Sequence, residues 1–188
     1  MRKVAIVGNI ASGKSEVKRI LQTKGFSVLD TDVVCHGLLD SDKAIADAFV
    51  DYDVFENDKI CRKKLGELVF SDNLLLKKLE SILHPKVRES IIEFFKQHNN
   101  EDVVFVEIPL LYEAGMEDLF DDILLVYASD KTRLERLMQR NSFSEEYAKQ
   151  RMNAQLSQDE KMKKASVIIK NESTIDYLEQ ELCNLFMQ

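Results

Sequence analysis

The chain has 188 residues, 45% hydrophobic and 31% charged. That is enough apolar material for one compact domain with a small appended subdomain, and too much for a disordered chain. Its 26 Lys and Arg against 33 Asp and Glu leave a net charge of −7, which argues against a general nucleic-acid binder, because such proteins need a basic face to displace counterions. Three scattered cysteines (Cys35, Cys61, Cys183) with no CxxC pair argue against a disulfide framework or zinc ribbon, and no apolar run reaches membrane-spanning length. The expectation is a cytoplasmic protein with no membrane or nucleic-acid partner and no obligate protein partner evident.

The first element, "KVAIV" at 3–7, is a short β-branched run of the kind buried parallel strands carry. It leads into "GNIASGKS", Gly8 to Ser15, which matches G-x-x-x-x-G-K-[ST]. A helix follows from about Lys14 to Lys24, with Val17, Ile20 and Leu21 on one face and Gly25 as its stop. "FSVL" at 26–29 is a second strand. After it, Asp30 and Asp32 project to the same side if the chain stays extended; otherwise an Asp caps the next helix.

Helices are expected over 33–50 and 62–98, with a kink or new start at His84-Pro85, because proline removes a backbone donor and disfavours helix at the residue before it. Strands at 102–108 and 122–128 come next, then a helix capped by Ser129 running to about Arg140 and another starting at Ser144. A fifth strand covers 166–171, and Ser173 opens a last helix through Phe186. Strands alternating with helices imply an α/β fold with a mostly parallel sheet covered on both faces. The roughly 70 helical residues between strands two and three exceed one crossover, so part of them forms a helical subdomain, a natural place for a second substrate.

The Gly8–Ser15 loop has the chemistry of a phosphate site. Glycines 8 and 13 allow successive N–H groups to point inward, Lys14 offers a cation to the β- and γ-phosphates of ATP, and Ser15 offers a hydroxyl to Mg²⁺. The helix N-terminus adds partial positive charge. The candidate nucleotide contacts are Gly8, Ala11, Ser12, Gly13, Lys14, Ser15 and Glu16; the Glu16 carboxylate, about 100° further round the helix, faces outward while its N–H serves phosphate. A phosphoryl-transfer enzyme also needs a carboxylate for the attacking hydroxyl, and Asp32 suits that role. In "TRLERLMQR", Arg133, Arg136 and Arg140 share one helix face and, with Arg151 in the next helix, suggest a mobile cationic lid.

At this point the chain resembles the dephospho-CoA kinase family. The matching segments are "GNIASGKSEV", "VLDTDVVCHGLL", "RKKLGELVFSD", "LESILHPKVRE", "VFVEIPLLYEAGME", "LERLMQRNSFSEEYAKQRMNAQLS" and "VIIKNES", which span nearly its whole length. The resemblance implies a P-loop kinase fold with a five-stranded parallel sheet in the order 2-3-1-4-5. Its core would cover about 1–40, 100–130 and 160–188, a helical CoA-type substrate subdomain about 41–99, and a helical lid about 131–159. It further implies phosphorylation of the 3′-hydroxyl of dephospho-CoA by ATP with Mg²⁺.

Position by position, Asp32 is then the general base, with Lys14 and Arg140 also catalytic, Arg140 from the lid. His36, Arg62, His84, Pro109, Leu110, Leu111 and Glu113 join Asp32 in holding the acceptor, and Asn171 lies near the adenine. Several positions depart from the family's usual residues: Asn9 stands for glycine, Glu16 for threonine, and Glu107, Cys61, Asn141, Ser166 and Lys170 for aspartates. Without the family segments, another small-molecule or nucleotide kinase fits equally well. A GTP-dependent switch is disfavoured, since no N-K-x-D follows the fourth strand and no D-x-x-G the third.

Overall fold

Successive side chains of a strand face opposite sides, yet Val4, Ala5, Ile6 and Val7 are all fully buried. Such a strand is covered on both faces, as in a parallel sheet. The computed structural model, which describes residues 1–186, makes this run β1 (Arg2–Val7), the central strand of five. β5 (Val103–Glu107) and β6 (Asp122–Tyr127) flank it in parallel, with Val4 opposite Phe105 on one side and Asp122 on the other. β2 (Val28–Asp30) lies beyond β5, and β7 (Val167–Lys170) beyond β6. Counting only these strands along the chain, the order is 2-3-1-4-5, the order of the expected P-loop kinase fold.

One face is covered by α1 (Lys14–Thr23) and α9 (Ile175–Phe186). Val17, Ile20 and Leu21 of the first and Leu178 and Leu182 of the second pack on Val4, Ile6, Phe105, Leu124, Val126 and Ile169. The Phe105 ring meets Phe26 and Phe186 edge-on, with centroids 5.4 and 5.0 Å away, a favoured aromatic geometry.

Between β6 and β7 run α6 (Asp130–Asn141), α7 (Glu145–Asn153) and α8 (Gln158–Lys164). Ser129, Ser144 and Ser157 cap them, accepting the N–H of Thr132, Tyr147 and Glu160. The sequence reading missed α8, although "SQDE" carries a helix-start pattern of Ser followed three residues later by Glu. Thr174, not Ser173, caps α9: its hydroxyl accepts the Tyr177 N–H at 3.3 Å.

The described chain divides into two compact units, a first of residues 1–29 with the described residues from 97 onward and a second of residues 30–96. The second contains α2 (Thr31–Ser41), α3 (Lys43–Ala48), α4 (Arg62–Ser71) and nearly all of α5 (Asn73–Gln97). Its core holds Ile45, Phe49, Val54, Ile60, Leu65, Val69 and Leu79. It also contains a hairpin, β3 (Phe55–Glu56) with β4 (Lys59–Ile60), between the two expected helical stretches, where no strand was expected. Asn57 and Asp58 both take positive φ at its tip, which two-residue hairpin turns require.

The helical breaks fall elsewhere than expected. α5 runs without interruption through Pro85, because one missing donor leaves the i−4 bonds on either side intact and Leu79, Val87, Ile91 and Phe95 bury its apolar face. The breaks come instead at Asp42 and Asp72, whose carboxylates accept the N–H groups of Ala44 and Leu74 and so restart the helix.

Replacing Thr174 with Ala removes the α9 cap and is expected to cost about 0.5–2 kcal/mol in urea unfolding, whereas Ser173→Ala leaves stability nearly unchanged. Equal losses in the two variants contradict this capping assignment.

Candidate active site

β1 ends at Val7, and the chain reverses through residues 8–13 into α1, which starts at Lys14. Gly13, the residue before the helix, has φ 99°, and a Cβ there would overlap the side-chain amide of Asn171. At Gly8 a Cβ would sit 2.6 Å from Ser12 Oγ and 2.7 Å from the Val126 carbonyl. Ala11 is left-handed at φ 62°, a conformation that costs a non-glycine residue energy and clusters at ligand sites. Asn9 is not among the positive-φ residues, so a side chain costs nothing there. Its amide donates to the Leu156 carbonyl at 2.8 Å.

The interior of the loop fits a polyphosphate. Ser12 Oγ is fully buried and has no hydrogen-bond partner among the described residues. Lys14 folds its ammonium over the loop, 2.9 Å from the Gly8 carbonyl and 3.4 Å from that of Asn9. The Glu16 carboxylate turns to Arg19, 2.5 Å away. The Arg19 hydrogen bond, opposed by partial burial, holds it below the usual carboxylate range. The Glu16 N–H donates to the Gly13 carbonyl at 3.0 Å. The acid is thus turned away, as the helix angle implies, while its N–H is engaged within the chain.

The loop is held from outside by α6, the segment before α8 and the residue after β7. Arg133 Nε donates to the Ile10 carbonyl at 3.0 Å, and Arg136 bridges the carbonyls of Ser12 (3.4 Å) and Asn171 (2.9 Å). The Asn171 amide donates to the same Ser12 carbonyl at 2.9 Å, and Gln155 Oε1 accepts the Ile10 N–H at 2.7 Å. Burial pulls the Arg133 pKa down, and Asp130, 2.9 Å away, opposes that shift. The three arginines expected on one lid face therefore part company: two are tied to the loop, and only Arg140 is exposed, bonded to Asn141 at 2.9 Å. Arg151 is exposed on α7. Beside the loop lies a cleft of about 550 Å³ lined by Asn9, Arg133, Gln155 and Gln158 among others.

At the end of β5, Glu107 is buried with Lys18 Nζ at 3.1 Å, an ion pair the sequence did not indicate. The Pro109–Glu113 segment is fixed by Lys161, a fully buried lysine of α8 whose Nζ lies 3.4 Å from the Pro109 carbonyl and 3.8 Å from the Glu113 carboxylate. Burial lowers the Lys161 pKa, Glu113 raises it and Arg133 lowers it further. Leu110 is exposed, but Leu111 is wholly buried and has no surface to offer a ligand. It is a core residue of this structure. The Tyr112 hydroxyl lacks a partner among the described residues, and burial with Glu117 and Glu113 nearby pushes it up to about 12.

In the second unit, Asp30 and Asp32 do not lie along an extended chain. Asp30 caps α2, accepting the N–H groups of Asp32 and Val33, and Asp32 occupies the first helical turn. His36 is one turn on and exposed, as Asp32 is. Burial, with Asp32 and Asp30 nearby, pushes the Cys35 thiol up to about 11, so it is no nucleophile at neutral pH. Arg62 opens α4 with Asp40 3.8 Å away, and His84 is half-buried on α5, two residues before Lys86, which pairs with Asp42 at 2.7 Å.

The parallel sheet and this strand–loop–helix cradle define a nucleotide-binding protein of the P-loop kinase class. A shikimate kinase from Bacteroides thetaiotaomicron shares the fold at 14% identity, with a TM-score of 0.58. The dephospho-CoA kinase family model matches residues 2–177. The dephospho-CoA kinase of Lactobacillus johnsonii is 34% identical, the alignment covering 98% of this chain and 96% of that one. A solved dephospho-CoA kinase from Campylobacter jejuni is 33% identical with a TM-score of 0.77, covering 100% of this chain and 96% of its own. The chain belongs to the dephospho-CoA kinase family.

Gly13→Ala forces a left-handed alanine and displaces Asn171, so ATP affinity measured by calorimetry is expected to fall at least about tenfold. Glu16→Ala removes a carboxylate already spent on Arg19 and is expected to hold that affinity within about twofold. A large change in Glu16→Ala means that the acid faces the phosphates.

Proposed function

We propose that the protein is a dephospho-CoA kinase, transferring the γ-phosphoryl group of ATP to the 3′-hydroxyl of dephospho-CoA to give CoA and ADP, the last step of coenzyme A biosynthesis. The observation that carries this reading is a built phosphate cradle in a chain whose relatives match it over nearly its whole length. The Gly8–Ser15 loop holds the ATP phosphates through main-chain N–H groups and Lys14. The Ser15 hydroxyl, on the first turn of α1, suits Mg²⁺, which needs few protein ligands when phosphate and water supply the rest. When bound, that ion neutralises charge on the phosphates.

Asp32 is the general base. The 3′-hydroxyl proton passes to its carboxylate as the hydroxyl oxygen bonds to the γ-phosphorus and the bond to the ADP oxygen breaks. Its place in the first turn of α2, with its N–H held by Asp30, fixes where the carboxylate starts. His36, Arg62, His84, Pro109, Leu110 and Glu113 hold the acceptor. Arg140, exposed near the end of α6, offers a guanidinium to the transferring phosphoryl group from a lid spanning about 131–159. Asn171, whose amide is spent on Ser12, serves the nucleotide by shaping the loop. No helix among the described residues is long and apolar enough to cross a membrane, and three free cysteines fit a reducing cytoplasm.

A coupled ADP-release assay with dephospho-CoA against a panel of nucleosides and nucleotides tests the proposal. ADP formation should depend on dephospho-CoA and on ATP rather than GTP; acceptor-independent release, or preference for another acceptor, overturns it. Asp32→Asn is expected to lower kcat by roughly 10²–10⁴-fold with ATP affinity nearly unchanged, since the carboxylate acts on the acceptor. Undiminished turnover removes Asp32 from the mechanism.

A further inference from the structure

The seven residues from Gln155 to Lys161 reach two places that the reaction requires. At one end, Gln155 Oε1 accepts the Ile10 N–H at 2.7 Å, and the next carbonyl, that of Leu156, accepts the Asn9 amide at 2.8 Å. At the other, Lys161 Nζ lies 3.4 Å from the Pro109 carbonyl and 3.8 Å from Glu113. Between them the Gln158 amide donates to Asp130 at 3.1 Å, and the same Asp130 oxygen accepts from Arg133, whose Nε holds the Ile10 carbonyl. Ser157 starts α8 between the two ends, so a single capped turn spaces them.

Each of these contacts is expensive to keep without a purpose. Ile10 N–H would be a natural phosphate donor, yet it is given to a glutamine. A lysine wholly removed from water forfeits its hydration for one carbonyl and a carboxylate beyond ordinary hydrogen-bond length. Burial already biases its ammonium toward losing a proton. A leucine or methionine would fill the same space without that cost.

We propose that Gln155 and Lys161 are paired positioning residues, Gln155 setting the phosphate loop for ATP and Lys161 setting the Pro109–Glu113 segment for the acceptor. The assignment of sides rests on the function proposed above. Neither residue touches the reacting atoms. The segment follows α7, beginning within the stretch assigned to the lid and ending just beyond it, so the two walls share one support.

The test compares Gln155→Ala and Gln155→Glu with Lys161→Met and Lys161→Arg in the full chain, by steady-state kinetics with each substrate varied and by amide hydrogen exchange of the free enzyme. In exchange, Gln155→Ala should loosen peptides covering 8–13 and leave 110–116 unchanged, while Lys161→Met should do the reverse; Ala114 and Met116 are informative because their N–H groups bond to Leu110 and Leu111. In kinetics, Gln155→Ala should raise KM for ATP roughly tenfold, and Lys161→Met KM for dephospho-CoA by a similar factor, each leaving the other KM within about twofold. Gln155→Glu, which keeps the acceptor oxygen, and Lys161→Arg, which keeps the cation, should recover most of each loss.

The Glu113 side chain is 34% exposed, so removing the lysine leaves a carboxylate that water still reaches, and Lys161→Met should melt no lower than the parent. Unchanged exchange in both segments, or a lowered Tm with both KM values shifted alike, overturns the positioning roles. The exchange pattern as expected but with the KM effects on the wrong substrates keeps the clamps and overturns the assignment of the two walls.

Discussion

A loop that reverses tightly between a strand and a helix leaves its carbonyls outside any regular ladder, and each of them then needs a donor. The rest of the first unit is arranged around that requirement. Lys14 takes the carbonyls of Gly8 and Asn9, Arg133 takes Ile10, and Arg136 and Asn171 share Ser12. The donors come from α1, α6 and the residue after β7, so the cradle exists only when the parallel sheet has brought those elements together. Three of them are cationic, which adds positive potential at the place where a polyanion lands.

This arrangement accounts for the loop's unusual residues. Asn9 is tolerated because its backbone needs no left-handed turn, and it is used because its amide reaches Leu156. Glu16 is tolerated because Arg19 holds it outward. Gly13 is irreplaceable for two reasons at once: its left-handed backbone and the Asn171 side chain packed where a Cβ would be.

Much of the fold was legible because it rests on local signals. β-branched runs marked the strands, serines marked the starts of α6 and α7, and the loop motif lay between a strand and a helix. Other features depended on partners far along the chain. Nothing in the arginine spacing of α6 distinguishes a side chain that braces a loop carbonyl (Arg133, Arg136) from one left exposed (Arg140). Lys161 reads as a surface lysine in "QDEKMKK", and only folding buries it beneath residue 109. Pro85 misled because local propensity favours a break, while the buried apolar face of α5 carries the helix through. The Asn171 amide donates to the Ser12 carbonyl, a contact across 159 positions in the chain that no local signal marks.

The claim that the phosphate cradle is shaped from behind is most directly tested by calorimetric titration of Asn171→Ala with ATP and with inorganic tripolyphosphate, which has no base. The account predicts that both affinities fall by the same factor, roughly tenfold for the lost hydrogen bond. A loss for ATP with tripolyphosphate binding unchanged would contradict it and make Asn171 a contact of the base alone.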